Sequence, residues 1–259
     1  MINLQHIQRS FPRHVQQAHR FMLREYLQCR ILEILFNSDF RSQFAFLGGT
    51  CLRLIHDNQR FSEDLDFDNF NLTAEQFDQV SVLIAEGLEL QGYEVEFKTV
   101  SKGAYHCYIR FPNMLFQHGL SGYEQEKILI QLDTEAQQFA FKPETVLLNR
   151  FDTLVRIFIT PASLILSQKF YAILNRPRNK GRDFFDVVFL LGRGIRPNYD
   201  YLSQKVAIQE AMGLKERLLA HCEALDMNDM AKDVEAFLFY KPDRNKVLLF
   251  TEIIKQADL

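Results

Sequence analysis

The chain has 259 residues, 47% apolar and 24% charged, with a net charge of −3. This is the make-up of an ordinary water-exposed globular protein, long enough to bury a large core. The negative balance excludes a uniformly basic nucleic-acid coat, so any nucleic-acid contact must come from a local patch.

Residues 12–36 repeat apolar side chains at helical spacing (Val15, Ala18, Phe21, Met22, Leu27, Ile31, Leu35) and predict one long helix. Its other face carries Arg13, Arg20, Arg24 and Arg30. Phe46 to Phe67 is the densest stretch. It reads as a short buried strand, the Gly48-Gly49 pair, a short helix around Leu52–Ile55, a turn, and a second strand carrying Asp64 and Asp66. Residues two apart in a strand share a face, so these aspartates are expected side by side, with Leu65 and Phe67 turned into the core. Parallel carboxylates repel unless both bind a hard cation such as Mg²⁺, which keeps positions open for phosphate oxygens. The glycines let backbone approach a ligand, and the helix after them offers unpaired N–H groups to an anion. Singly, a double glycine is a turn and an Asp-x-Asp is a strand edge. Together at this spacing they point to nucleotidyl transfer.

Thr73 with Gln76 forms a capping-box pattern for a helix over 74–90, ended by Gly92. Strand-like runs follow at 93–100, 105–111 and 127–132, and one or two more extended pieces lie in 145–159, which suggests a mixed sheet. Asp133 ends the third run, a strand able to pair beside the Asp64–Asp66 strand. It either caps that strand or supplies the third acid that such a site wants, as metal ligand or proton acceptor. Thr160-Pro161 opens a helical region, with helices expected at 161–175, 182–192, 198–220, 223–239 and 242–257. Within it Lys169, Arg176, Arg178, Lys180 and Arg182 cluster, and Asp183 and Asp186 share a helix face. Two readings fit: a solvated charged face, or a clamp in which Lys169 and Arg182 hold a triphosphate and the loop cations hold a nucleic-acid backbone, with Asp183 and Asp186 holding these cations in place or taking part in proton transfer.

The four cysteines (Cys29, Cys51, Cys107, Cys222) show no metal-ligand spacing and read as small buried hydrophobes in a reducing compartment. No signal peptide is expected from residues 1–10, and no apolar run approaches the roughly 20 residues of a membrane span. A cytoplasmic protein is expected.

Four stretches together resemble the AbiEii/AbiGii toxin family of nucleotidyltransferase-like proteins. They are Leu47–Thr50 with Leu52-Arg53, Arg60–Phe67, Lys169 with Ala172, and Lys180–Asp186. The resemblance spans about residues 44–191. It implies an α/β fold with a polymerase-β-like nucleotidyltransferase core, a mixed sheet and a C-terminal helical domain. It implies an NTP substrate, Mg²⁺, and in some members nucleotide addition to tRNA; the family comprises the toxin halves of type IV toxin–antitoxin systems, so a cognate antitoxin is a possible partner. Gly48, Gly49 and Ser62 match the family's phosphate-binding motif, Asp64 and Asp66 its metal pair, and Lys169 and Asp183 its later catalytic motifs. The hydroxyl contact to phosphate comes from Thr50 or Ser62.

The expected organisation is a nucleotidyltransferase core over residues 1–160 and a helical domain over 161–259 that completes the nucleotide cleft. Asp64, Asp66 and Asp133 are the candidate Mg²⁺ ligands. Lys169, Asp183 and Arg182 are the candidate groups of the helical part. The favoured acceptor is RNA, tRNA first. An adenylyltransferase acting on a small molecule or protein, and a non-catalytic nucleotide-binding protein, remain open.

Overall fold

A computed structural model describes residues 3–259, apart from the side chain of Lys102. The chain divides into two units: one runs to Asp57 and resumes over Phe61–Ile159, and the other joins Asn58–Arg60 to Thr160–Leu259.

In the first unit, α1 (Leu4–Gln8) is capped by Asn3, and α2 (His19–Phe36) follows. The single helix expected over 12–36 starts seven residues later. Pro12 opens only a 3-10 turn, Arg13–Val15. The Gln16 amide then donates to the carbonyls of Gln8 and Phe11, tying the chain into a local knot of side-chain contacts. From His19 on, Met22, Leu23, Leu27, Ile31, Leu32 and Leu35 are buried, as the spacing predicts.

Next come β1 (Phe44–Leu47), α3 (Gly48–Leu54), β2 (Leu65–Asn69), α4 (Ala74–Leu90), β3 (Glu96–Lys102), β4 (Ala104–Phe111), α5 (Met114–Gln117), β5 (Ile128–Glu135), β6 (Glu144–Arg150) and β7 (Thr153–Ile159). The Thr73–Gln76 capping box is present. The strands form one seven-stranded sheet in the order β3-β4-β5-β2-β1-β7-β6. It is mixed: β1–β7 and β2–β5 are parallel, whereas β1–β2, β3–β4, β4–β5 and β6–β7 are antiparallel. Alternation sets the faces. Ile128, Ile130 and Leu132 of β5 and Cys107, Ile109 and Phe111 of β4 are buried. Gln131, Asp133, His106, Tyr108 and Arg110 lie on the other face and are half-buried. All four cysteines are buried and free.

The second unit contains α6 (Ala162–Asn175), α7 (Gly181–Leu191), α8 (Tyr199–Val206), α9 (Ala211–Glu223), α10 (Met227–Glu235), α11 (Asn245–Leu248) and α12 (Phe250–Gln256). Three of the five expected helices are shorter or divided. The helix over 198–220 breaks at Ala207, which takes a left-handed φ of 55° and closes α8. The helix over 223–239 starts late because the Asp226 side chain accepts from the Asn228 N–H, a helix N-cap. The helix over 242–257 divides at Leu249. Among the described residues, no helix is long and apolar enough to cross a membrane.

Candidate active site

Four short segments of the first unit meet around Asp66. The β1–β2 register sets Leu47 opposite Asp66. The parallel β2–β5 register sets Asp66 beside Asp133. Neighbouring strands lie about 4.8 Å apart, so the two carboxylates rise together from one face. Asn69 Nδ2 donates to Thr134 Oγ1 at 3.1 Å across the same two strands, a buried contact that pins the register. A slip of one residue would turn one aspartate to the far face.

Gly48 is built against Asp66. Its φ is +78°, which L side chains rarely adopt, and a Cβ placed there would lie 2.2 Å from Asp66 Oδ2. Only glycine lets the end of β1 approach the carboxylate this closely. Gly49 follows as a buried residue of α3.

Asp64 stands one residue before β2, outside the regular strand. Its backbone is held on both sides. Thr50 Oγ1 donates to the Asp64 carbonyl. Gln28 Nε2 of α2 donates to the carbonyls of Ser62, at 3.2 Å, and Glu63, at 2.9 Å. Arg24 of α2 pairs with Glu63 at 3.0 Å. Thr50, one of two hydroxyls expected at phosphate, is fully buried and spent on this backbone contact, which leaves half-exposed Ser62 as the other. Arg53 is likewise internal: its Nε donates to buried Glu25 at 3.0 Å and ties α3 to α2.

Asp133 has two further neighbours. The β4–β5 register sets His106 opposite it, and His106 Nδ1 lies 2.6 Å from Asp133 Oδ1. Gln131, two residues back on the same face, donates from Nε2 to both Asp133 oxygens at 2.8 and 2.9 Å. The row across the sheet is therefore Asp66, Asp133, His106. Neither Gln28, His106 nor Gln131 was singled out in the sequence. His106 had a signal, since it sits on the outward parity of an alternating strand.

Carboxylates as the only anionic donors suit a hard cation in chemistry, and Asp66 beside Asp133 supplies two of them. The expected grouping of three carboxylates, Asp64, Asp66 and Asp133, is not preformed. Among the described residues, no group of three His, Cys, Asp or Glu side chains could hold a metal ion. Asp64 precedes the strand, and the Asp133 carboxylate is drawn to His106 and Gln131.

The sequence-derived residues of the second unit form a network of their own. Lys169 Nζ lies 2.8 Å from Asp183 Oδ1 and 2.9 Å from Asp186 Oδ2. Asp186 is fully buried and takes a two-pronged contact from Arg60, Nε to Oδ1 at 2.7 Å and Nη2 to Oδ2 at 2.6 Å, with Asn58 Nδ2 at 2.9 Å. Arg176 pairs with Asp183 at 2.5 Å. Burial alone would push the Asp186 carboxyl up, but Arg60 and Lys169 outweigh it and hold its pKa at about 2. Burial also works against the Lys169 charge, and Asp183 and Asp186 override it, raising the ammonium above its ordinary value. Lys169 therefore does not stand out as a lone reaching cation; its side chain is 14% exposed and doubly paired. Arg182 lies over the Phe237 ring at 4.4 Å.

The fold is shared with solved proteins. JHP933 from Helicobacter pylori aligns over 90% of this chain and 91% of its own, at 17% identity and a TM-score of 0.54. A candidate nucleotidyltransferase from H. pylori aligns over 90% and 93%, at 18% identity and a TM-score of 0.54. At such identity the likeness shows fold alone. No curated protein matches the chain. The family model of the nucleotidyl transferase AbiEii toxin of type IV toxin–antitoxin systems matches residues 30–246, and so takes in the Gly48-Gly49 turn, all three aspartates and the Lys169 network. By that match the chain belongs to the AbiEii family and is a nucleotidyltransferase, of a kind that works on a nucleotide and has a cognate antitoxin.

Proposed function

We propose that the chain transfers a nucleoside monophosphate from an NTP to an acceptor hydroxyl on RNA, with Mg²⁺, on a polymerase-β-like core followed by a helical domain. The observation that carries the proposal is the in-register pair Asp66–Asp133 with Gly48 packed against Asp66. In this reading the Gly48-Gly49 turn and Ser62 meet the triphosphate. Asp64 and Asp66 would hold Mg²⁺, with Asp133 beside them. The ion, when bound, neutralises charge on the phosphate oxygens. Asp133 accepts the proton of the attacking hydroxyl as the new P–O bond forms at the α-phosphorus and pyrophosphate leaves in line. Lys169 and Asp183 act within the buried network of the second unit, and Arg182 is a further cation of that unit proposed for phosphate.

The test is incubation with each labelled NTP and total RNA, with and without Mg²⁺. Labelled RNA is expected from the wild type, and none from Asp64→Asn or Asp66→Asn, each of which keeps size and removes charge. Near wild-type transfer in either variant would overturn the metal pair. Label on a small molecule or protein, with RNA unlabelled, would move the acceptor to that class.

A further inference from the structure

The structure assigns His106 as a positioning residue that, with Gln131, fixes the Asp133 carboxylate. The assignment rests on the reading of Asp133 as part of the transfer site. Asp133 stands in a row between another carboxylate, Asp66, and an imidazole, His106. Repulsion from Asp66 would swing a freely rotating Asp133 side chain away from β2. Two donors, His106 on β4 and Gln131 on β5 itself, set where it stops. Gln131 bridges both oxygens at 2.8 and 2.9 Å, and His106 closes on Oδ1 at 2.6 Å.

An ionised carboxylate has no hydrogen to give, so Nδ1 must be the donor, and the neutral imidazole is the Nδ1–H tautomer with Nε2 bare. The register fixes this contact, because His106 and Asp133 are directly opposed residues of β4 and β5, and such pairs have Cβ atoms about 4.5–5.5 Å apart. His106 is 31% exposed and Asp133 29%, so the pair meets solvent and is not a sealed core contact. A contact serving stability alone would gain little in so open a place. A contact that sets the direction of a carboxylate is useful there, since a proton acceptor must lie within hydrogen-bond reach of the hydroxyl it serves.

Three measurements test the assignment. The ring ¹⁵N shifts of His106, read in the nucleotide-free protein at a pH where the ring is neutral, should show the Nδ1–H tautomer, and Asp133→Ala should return the ring to the Nε2–H form usual in water. His106→Ala should lower kcat about ten- to a hundredfold, the range for removing a partner that orients an active-site ligand. Its KM for NTP and its Tm should stay near wild type. His106→Asn, whose amide can donate from close to the Nδ1 position, should recover most of the lost kcat. An Nε2–H tautomer in the wild type, an unchanged kcat in His106→Ala, or His106→Asn no better than His106→Ala would each overturn the assignment. Asp133→Ala separates the two levels. If it keeps wild-type transfer, the reading of the site fails. If it is inactive while His106→Ala is not impaired, only the positioning role fails.

Discussion

At the scale of single residues, the site depends on Gly48 as much as on the acids. Gly48→Ala meets two obstacles at once: a φ of +78° and a Cβ 2.2 Å from Asp66 Oδ2. The backbone strain costs roughly 1–2 kcal/mol. The larger effect falls on Asp66, which must move off its row beside Asp133. Gly48→Ala is therefore expected to lose most of its transfer activity while thermal unfolding shows a cooperative fold with a modestly lowered Tm. Wild-type kcat in that variant would mean that the position of Asp66 does not matter to the chemistry. The residue pattern of this site was legible in the sequence because it is local. Gly48-Gly49 and Asp64–Asp66 lie within one 20-residue stretch, and the parity of a strand predicts the face of Asp66, though not that Asp64 falls one residue before β2. The choice between Thr50 and Ser62 is not legible in the sequence, because a hydroxyl near a glycine turn gives no sign of which carbonyl it will find. Gln28 and Gln131 were missed for the same reason: an amide announces neither its partner nor its direction.

At the scale of elements, α6 and α7 are joined by charge as well as by packing. Asp186 receives Arg60, Lys169 and Asn58, and all of these but Lys169 are nearly fully buried. Asp186→Ala would take from buried Arg60 the carboxylate it pairs with twice and leave Lys169 with Asp183, and about 3–5 kcal/mol of destabilisation is expected in denaturant unfolding. Lys169→Ala removes one cation from each of Asp183 and Asp186, which keep Arg176 and Arg60, so it should cost some stability as well as any effect on NTP. The sequence pointed to a triphosphate contact for Lys169 and to Asp183 and Asp186 as groups able to hold the nearby cations, but spacing along one helix cannot show that α7 brings both carboxylates to the same ammonium. The pH dependence follows from the pKa of about 2 at Asp186, below the ordinary carboxylate value of about 3.9. A depressed carboxyl stabilises the fold above its unfolded pKa and loses that contribution as pH falls through its folded pKa. The stability gap between wild type and Asp186→Asn should therefore be full at neutral pH and shrink as pH falls from about 4 to 2. A gap that is constant over that range would mean Asp186 is not ionised in the folded protein. The same elements show where sequence reading stopped. Helix existence was clear from apolar periodicity, but the ends of α8 and α10 depend on a left-handed Ala207 and an Asp226 cap, single-residue choices that periodicity does not register.

At the scale of the whole molecule, the net charge of −3 gives no general attraction for nucleic acid, so an RNA acceptor must be held by a local set of cations. The loop between α6 and α7 offers Arg176, Arg178 and Lys180, all exposed. Arg176 is committed to Asp183, and its removal would disturb the buried network. Arg178 and Lys180 are the cleaner probes. If both contact phosphates of a single strand, each releases counterions, and binding weakens with salt by about 0.7 in log–log slope per contact. Arg178→Ala with Lys180→Ala should then flatten the salt dependence of RNA affinity by about 1.4 and weaken binding at low salt. NTP binding and Tm should not change, since neither side chain is buried. Filter or fluorescence binding between 50 mM and 200 mM salt reads the slope directly. A slope equal to wild type would return these two cations to the solvated surface. No RNA binding at low salt, in a protein that still transfers nucleotide, would turn the acceptor toward a small molecule or a protein hydroxyl.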